Sequence, residues 1–303
     1  MSFELRADEG LRSGIHRVAK SEIEKVREYV DGSSKGSRDV MVHEARKSLK
    51  RLRAVLRLVR PAIARKVYRR ENIAFRDAAR PLSEVRDAKI LVETLDKIVN
   101  TNGRGLRVRL VRPFMEVRRE LARHQRGVRE KVLDQDDVFK TVDSTMKDAL
   151  DRLDGWVDVH DGWSSVVKGV QRVYRRGRRA FAVGSEKPTV EHLHEWRKQV
   201  KYLRHQLELL RPVKASVLVP LAKKAEDLGD ILGDDHDLAM LRREVAGDPE
   251  RFGGTEVVES LLDRIDRRRE RLERRALSLG RQIFRPAPKD FGERLHAYWK
   301  AWS

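Results

Sequence analysis

Cysteine is absent from the 303 residues, which excludes disulfides, a thiolate nucleophile and Cys-ligated zinc, and suits a reducing compartment. A cytoplasmic location is the resulting expectation. Aromatic residues make up only 6% of the chain and do not interleave with the basic positions, so base stacking of the kind that holds single-stranded nucleic acid is not evident. No uncharged apolar run approaches the roughly 18 residues of a membrane span. Met1 to Gly10 carries Glu4, Asp8 and Glu9 where a signal peptide would be apolar, so no membrane partner is expected. There is no Gly-rich loop ending in GK[ST], and His194-Glu195 lacks the second histidine, at i+4, of an HExxH zinc site.

What is abundant is charge, mostly of one sign. Lys and Arg number 67 against 48 Asp and Glu, giving a net charge of +19. Such an excess answers a polyanion: nucleic acid, anionic lipid or a phosphate polymer. With 40% hydrophobic residues and about two domains' worth of length, the chain can still bury substantial cores.

Helical periodicity runs almost throughout, and alternating β patterns are hard to find. The spacing predicts an all-α protein with helices near 8–30, 40–60, 62–80, 82–99, 106–133, 137–154, 163–183, 190–211, 214–232, 235–246, 255–282 and 290–302. Thr101-Asn102-Gly103 reads as a loop, and Gly229 and Gly233 suit a turn between two helices. The five tryptophans, Trp156, Trp163, Trp196, Trp299 and Trp302, read as packing residues.

The pattern restarts halfway. Residues 42–61 (VHEARKSLKRLRAVLRLVRP) and 193–212 (LHEWRKQVKYLRHQLELLRP) agree at 11 of 20 positions at a constant offset of 151. After one deletion the offset is 150, and Arg86-Asp87 aligns with His236-Asp237. A tandem duplication of a roughly four-helix unit follows, which predicts two antiparallel four-helix bundles related by an internal pseudo-two-fold, residues 1–155 and 156–303, meeting near 154–162.

On a helical wheel the repeated segment has two faces. Arg46, Lys50, Arg53 and Arg57 fall within about 80° of His43, while Leu49, Leu52, Leu56 and Val59 occupy the opposite half. In the second copy His194, Arg197, Lys201 and Arg204 form the same stripe, backed by Val200, Leu203, Leu207 and Leu210. Like charges at i, i+3 and i+4 repel by a few tenths of a kcal/mol per pair, so the stripe, expected to be exposed, requires solvent or an anion. A solvated face is the plain reading; keeping His, Arg, Lys, Lys and Arg at identical spacings in both copies favours the anion. Arg offers a planar fork to phosphate oxygens, Lys a mobile point charge, and His a hydrogen bond that can gain charge beside a polyanion. Successive groups recur about every 5–6 Å along the helix, a spacing that can track a flexible phosphate chain without reading any sequence.

The repeated H-E-x-R-K-x-x-K-x-L-R segments, with Arg86-Asp87 and His236-Asp237 downstream, resemble the CHAD family (conserved histidine α-helical domain). VYRRGRRAF at 173–181, RRENIAFRDAARPLSEVRDAKIL at 69–91 and LGDILGDDHDLAML at 228–241 extend the resemblance over about residues 10–283. It implies paired four-helix bundles with a basic central cavity that binds inorganic polyphosphate, and association with polyphosphate granules and their other proteins. Carried over by position, the family's histidines fall on His43 and His194. Its basic cavity residues fall on Arg46, Lys47, Lys50 and Arg53, and on Arg197, Lys198, Lys201 and Arg204. Arg51 fits less well because its counterpart is Tyr202, and Arg175 and Arg178 are additional contacts the resemblance suggests. His16 and Arg17 match the family's first helix only loosely. No ExExK strand pattern of triphosphate-tunnel enzymes is found, so the chain reads as the binding domain standing alone.

Two other readings compete. His236-Asp237 could suggest a metal-dependent phosphohydrolase, but the first copy has Arg86 there and arginine ligates no metal; Asp87 and Asp237 read instead as helix caps or partners of a neighbouring Arg. A nucleic-acid-binding protein would reward the same charge, yet no helix-turn-helix or other docking module is evident. Binding without catalysis, metal or cofactor is the economical expectation.

Overall fold

A computed structural model describes residues 2–33, 36–100, 112–156 and 163–302. Among these residues there is no strand, and ten α-helices follow one another: α1 (Leu11–Val30), α2 (Arg38–Val59), α3 (Arg65–Asn100), α4 (Met115–Arg129), α5 (Val138–Asp151), α6 (Trp163–Glu186), α7 (Val190–Leu210), α8 (Ala215–Gly247), α9 (Thr255–Phe284) and α10 (Pro288–Trp302). The expected loop at 101–103 and residues 106–111 of an expected helix lie outside the described residues, as do 157–162.

Two expected breaks are absent. Pro81 lies inside α3, although an interior proline removes a hydrogen bond and costs about 3 kcal/mol. Phe75, Ala78, Leu82 and Val85 carry one buried stripe straight through it, and burying side chains of the size of Phe75 and Leu82 contributes roughly 1.5–3 kcal/mol each. Gly229 and Gly233 likewise lie within α8 rather than in a turn. Each costs the helix roughly 0.5–1 kcal/mol, and buried Leu228, Leu232, Leu238 and Leu241 on either side of them hold the helix together.

The repeated helices begin and end alike. Ser37 caps α2 by accepting from the Val40 amide (3.4 Å), and Thr189 caps α7 by accepting from the His192 amide (3.3 Å). Arg60-Pro61 and Arg211-Pro212 then turn each chain into a short 3₁₀ segment, because proline fits the first turn of a helix but cannot continue one. Seven apolar positions match at the offset of 151 and all are buried: Val42, Ala45, Leu49, Leu52, Leu56, Leu58 and Val59 against Leu193, Trp196, Val200, Leu203, Leu207, Leu209 and Leu210.

Burying these faces brings α2, α3, α7 and α8 into one group, in which α2 packs on α3 and α7, and α8 packs on α3 and α7. The Gln206 side chain of α7 donates to the Ala54 carbonyl of α2 at 3.2 Å. A large core runs from Phe3 to Leu295, and a second core joins α3, α4, α8 and α9 through Leu95, Val117, Leu121, Leu241 and Ile265. Both cores draw residues from either side of residue 155, so the boundary between the repeats is not a boundary between cores. Trp156 and Trp196 are buried in the large core, and Trp163 stacks on Trp299 at 4.0 Å.

Candidate anion-binding site

With the apolar faces of α2 and α7 turned into the core, their basic faces meet. Arg46 approaches Asp87 of α3 at 3.8 Å, and Arg197 approaches Asp237 of α8 at 4.0 Å. These are the same pair in each repeat. Asp87 and Asp237 lie in helix interiors, so of the two roles expected for them the arginine partnership is the one present. Both separations exceed hydrogen-bond length, and both guanidinium groups are mostly buried, at 12% and 17% exposed.

Lys50 and Lys201 lie one turn further along, half-buried where the stripe was expected to be exposed. Burial pushes the Lys50 amine down to about 7, and Arg46 and Arg197 push the same way. Burial also holds Lys201 well below its ordinary value, with Arg197 and Lys50 adding to the effect. Four cations from opposite repeats thus face two carboxylates. Burial raises the Asp237 pKa although Arg197 and Lys201 oppose the shift.

The histidines lie beside this cluster. Burial lowers the pKa of His43, Glu44 opposes the shift, and Arg86 and Lys50 reinforce it. Burial lowers His194 too, followed by Arg197 and Lys198. The His194 ring lies 4.5 Å from that of His236, which burial, Arg197 and His194 together depress to about 3. Position 86 or 236 therefore sits beside the repeat's histidine in both copies, filled once by arginine and once by histidine.

Several buried side-chain nitrogens here have no partner: Nε and Nη1 of Arg46, Nε of Arg53 and Arg197, and one ring nitrogen each of His194 and His236. An unmet buried polar group costs about 1–3 kcal/mol. The arginine N–H groups among them are free to donate to an anion.

The other expected residues divide. Lys47 and Lys198 lie at the rim, each beside a glutamate one turn back on its own helix, Glu44 and Glu195. Arg53 is within 6.0 Å of the Tyr202 ring. Arg204 is held by Glu208 and Glu226, both at 2.7 Å. Arg51 points elsewhere, to Glu22 at 3.5 Å and over the Phe3 ring at 4.7 Å. Arg175 and Arg178 line a separate cavity of about 670 Å³ between α6 and α9. His16 meets Asp154, and Arg17 is bound by Glu9.

Sequence reasoning missed Arg172 and Arg176, which act electrostatically on Arg60 and Arg57 at the far end of α2. Arg57 lies over the Tyr202 ring at 3.9 Å and donates to Asn72. Arg57 already stands on the basic stripe in the sequence and Arg176 lies in the VYRRGRRAF segment, whereas no sequence signal marks Arg172.

The CHAD domain family model matches residues 17–246. The chain belongs to the CHAD domain family. The matched span is narrower than the 10–283 read from the motifs and contains every residue of the cluster. The fold is also similar to the crystal structure of the CHAD domain from the plant Ricinus communis, at 18% identity over 98% of this chain and 95% of that one, with a TM-score of 0.49. No curated protein matches the chain. In this CHAD domain no helix of the described residues is long and apolar enough to cross a membrane, and no three His, Asp or Glu side chains among them gather as a metal ligand set.

Proposed function

We propose that this CHAD domain binds inorganic polyphosphate, without cleaving it, in the groove where the basic faces of α2 and α7 meet. The observation that carries the reading is the convergence of Arg46, Lys50, Arg197 and Lys201 at a half-buried junction with unmet N–H donors. A linear polyanion would lie along both stripes, relieve their mutual repulsion and accept from Arg46, Arg197, His194 and His236. On this reading the repeats are two four-helix bundles about a pseudo-two-fold whose axis passes through the groove. The protein then acts at polyphosphate granules in the cytoplasm, alongside other granule proteins.

The surroundings of Asp237 favour binding over hydrolysis. A metal ion beside it would meet Arg197 and Lys201, and at His236 also Arg243. Competition tests the proposal: long-chain polyphosphate should displace labelled DNA at far lower concentration than DNA displaces labelled polyphosphate, at matched salt. Equal displacement would mean a general cationic surface. Steady release of orthophosphate with Mg²⁺ or Mn²⁺, abolished by His236→Ala, would mean an enzyme.

A further inference from the structure

A second set of uncompensated arginines starts where the groove ends. Arg172 and Arg176 of α6 stand within electrostatic range of Arg60 and Arg57. Arg175, Arg178 and Arg179 of the same helix line the 670 Å³ cavity together with Arg281 and Arg285 of the α9 end. With Arg172 at zero on the wheel of α6, Arg176 falls at about 40°, Arg179 at about 340°, Arg175 at about 300° and Arg178 at about 240°. The five form one continuous arc from the groove side to the cavity side, and Arg175 is close enough to Arg172 to lower its pKa.

Two observations set this arc apart from a solvated face. The first is the concentration of uncompensated charge around one opening. Some exposed arginines elsewhere have carboxylate partners, as in Arg76–Asp77 and Arg118–Asp96 at 2.8 Å and Arg242–Asp266 at 3.0 Å. Among the described residues Arg172, Arg175, Arg176, Arg179, Arg281 and Arg285 have none, and no acidic residue lines the cavity. The second is the packing beneath it. A Cβ at Gly177 would lie 2.8 Å from the Phe284 ring, and one at Gly280 would lie 2.8 Å from Phe181 and 2.5 Å from Trp196. Two glycines thus let α6 and α9 close on each other's aromatic rings, which sets the arginines of both around one opening. Arg178 Nε is fixed there by donating to the Phe284 carbonyl at 3.2 Å.

We infer that this arc is an extension of the groove, a track along which a long phosphate polymer leaves past Arg57 and Arg60, rounds α6 and enters the cavity beside Arg281 and Arg285. The inference rests on the polyphosphate reading and adds to it a preference for length. A short chain occupies the groove alone. A long chain makes a second, tethered contact whose effective concentration multiplies the first.

The test compares wild type with Arg281→Gln/Arg285→Gln, two exposed positions outside the groove, using inorganic tripolyphosphate and long-chain polyphosphate at matched salt. The variant should bind the long chain at least about tenfold more weakly, with a salt slope smaller by about two, one for each lost contact, and should bind tripolyphosphate as wild type does. Unchanged long-chain affinity would overturn the track, as would an equal loss for both lengths, which is the signature of a general field. If the Gln pair does not fold, Arg175→Gln/Arg179→Gln on α6 gives the same readout. Failure of wild type to bind either anion would instead remove the polyphosphate reading itself.

Discussion

Lys201 on α7 lies close enough to Lys50 on α2, its counterpart 151 residues earlier, for the one charge to depress the pKa of the other. Two homologous amines, drawn together from opposite repeats and half-buried, oppose folding. The apolar faces behind them, Leu49 to Val59 and Val200 to Leu210, bury completely and hold the repelling faces in contact. The proposed function and stability therefore pull against each other at this junction, which makes the role testable.

Polyphosphate affinity should fall as pH rises through neutrality. The Lys50 pKa in the free protein is about 7 against an ordinary 10.5, and that of Lys201 is also lowered. Below about 7 Lys50 already carries its proton, and affinity is at its fullest. Above it, binding must take up a proton, so affinity declines until the higher pKa of the bound amine is passed. Titrating affinity from pH 6 to 9 should show this slope, and Lys50→Arg/Lys201→Arg should flatten it, because arginine keeps its charge throughout. An equal slope in both proteins would assign the dependence to other groups.

Lys50→Met/Lys201→Met should stabilise the fold and weaken binding. Exchanging partly desolvated, mutually repelling charges for apolar chains of similar length removes a cost of about 1–2 kcal/mol, a rise in Tm of a few degrees. Loss of two phosphate contacts should lower affinity by at least about tenfold. Calorimetry and a binding titration on the same sample check both; a fall in Tm would show that the lysines are structural.

The pairing of α2 with α7 was legible because duplication leaves two copies to compare, and charge placed at the same register in both marks the stripes as a candidate site. The helix boundaries at Pro81, Gly229 and Gly233 were not. Local propensity at one residue is worth about 1–3 kcal/mol, and the buried residues flanking each exceed it, which only the packed structure reveals. Arg51 illustrates the same limit. It lies about 40° from Lys47 and about 100° from Lys50 on the wheel, yet the N-terminal Phe3 and Glu22 of α1, remote in sequence, draw it away from the groove. Tertiary packing of α6 brings Arg172 and Arg176 within electrostatic range of Arg60 and Arg57; Arg176 lies in the VYRRGRRAF segment, and no motif marks Arg172.

Asp237→Asn should tighten polyphosphate binding without lowering stability. Asp237 faces Arg197 and Lys201, so its charge opposes the bound anion in the complex and moderates cation repulsion in the free protein. Removing the charge should raise affinity several-fold at low salt, and because burial raises the Asp237 pKa in spite of Arg197 and Lys201, the neutral amide should leave Tm unchanged or slightly higher. In a metal phosphohydrolase the same change would abolish turnover instead, so binding and orthophosphate assays together discriminate the two.

Gly169→Ala should destabilise the protein, whereas Gly229→Ala should not, although both glycines are interior to helices. A Cβ at Gly169 would stand 1.8 Å from the Leu58 carbonyl oxygen and 2.7 Å from its carbon, and backbone cannot yield as a side chain does. The close approach of α6 to the end of α2 depends on this glycine, and the same approach sets Arg172 and Arg176 beside Arg60 and Arg57. The expected cost is about 3 kcal/mol, with weaker long-chain binding as the two helices part. At Gly229 the nearest atoms to a Cβ are Val200 at 3.7 Å and Lys201 at 3.9 Å, ordinary contact distances. Alanine there should add roughly 0.5–1 kcal/mol through helix propensity. Thermal denaturation of the two variants reads the contrast, and equal shifts in both would show that α6 and α2 are not held together at Gly169.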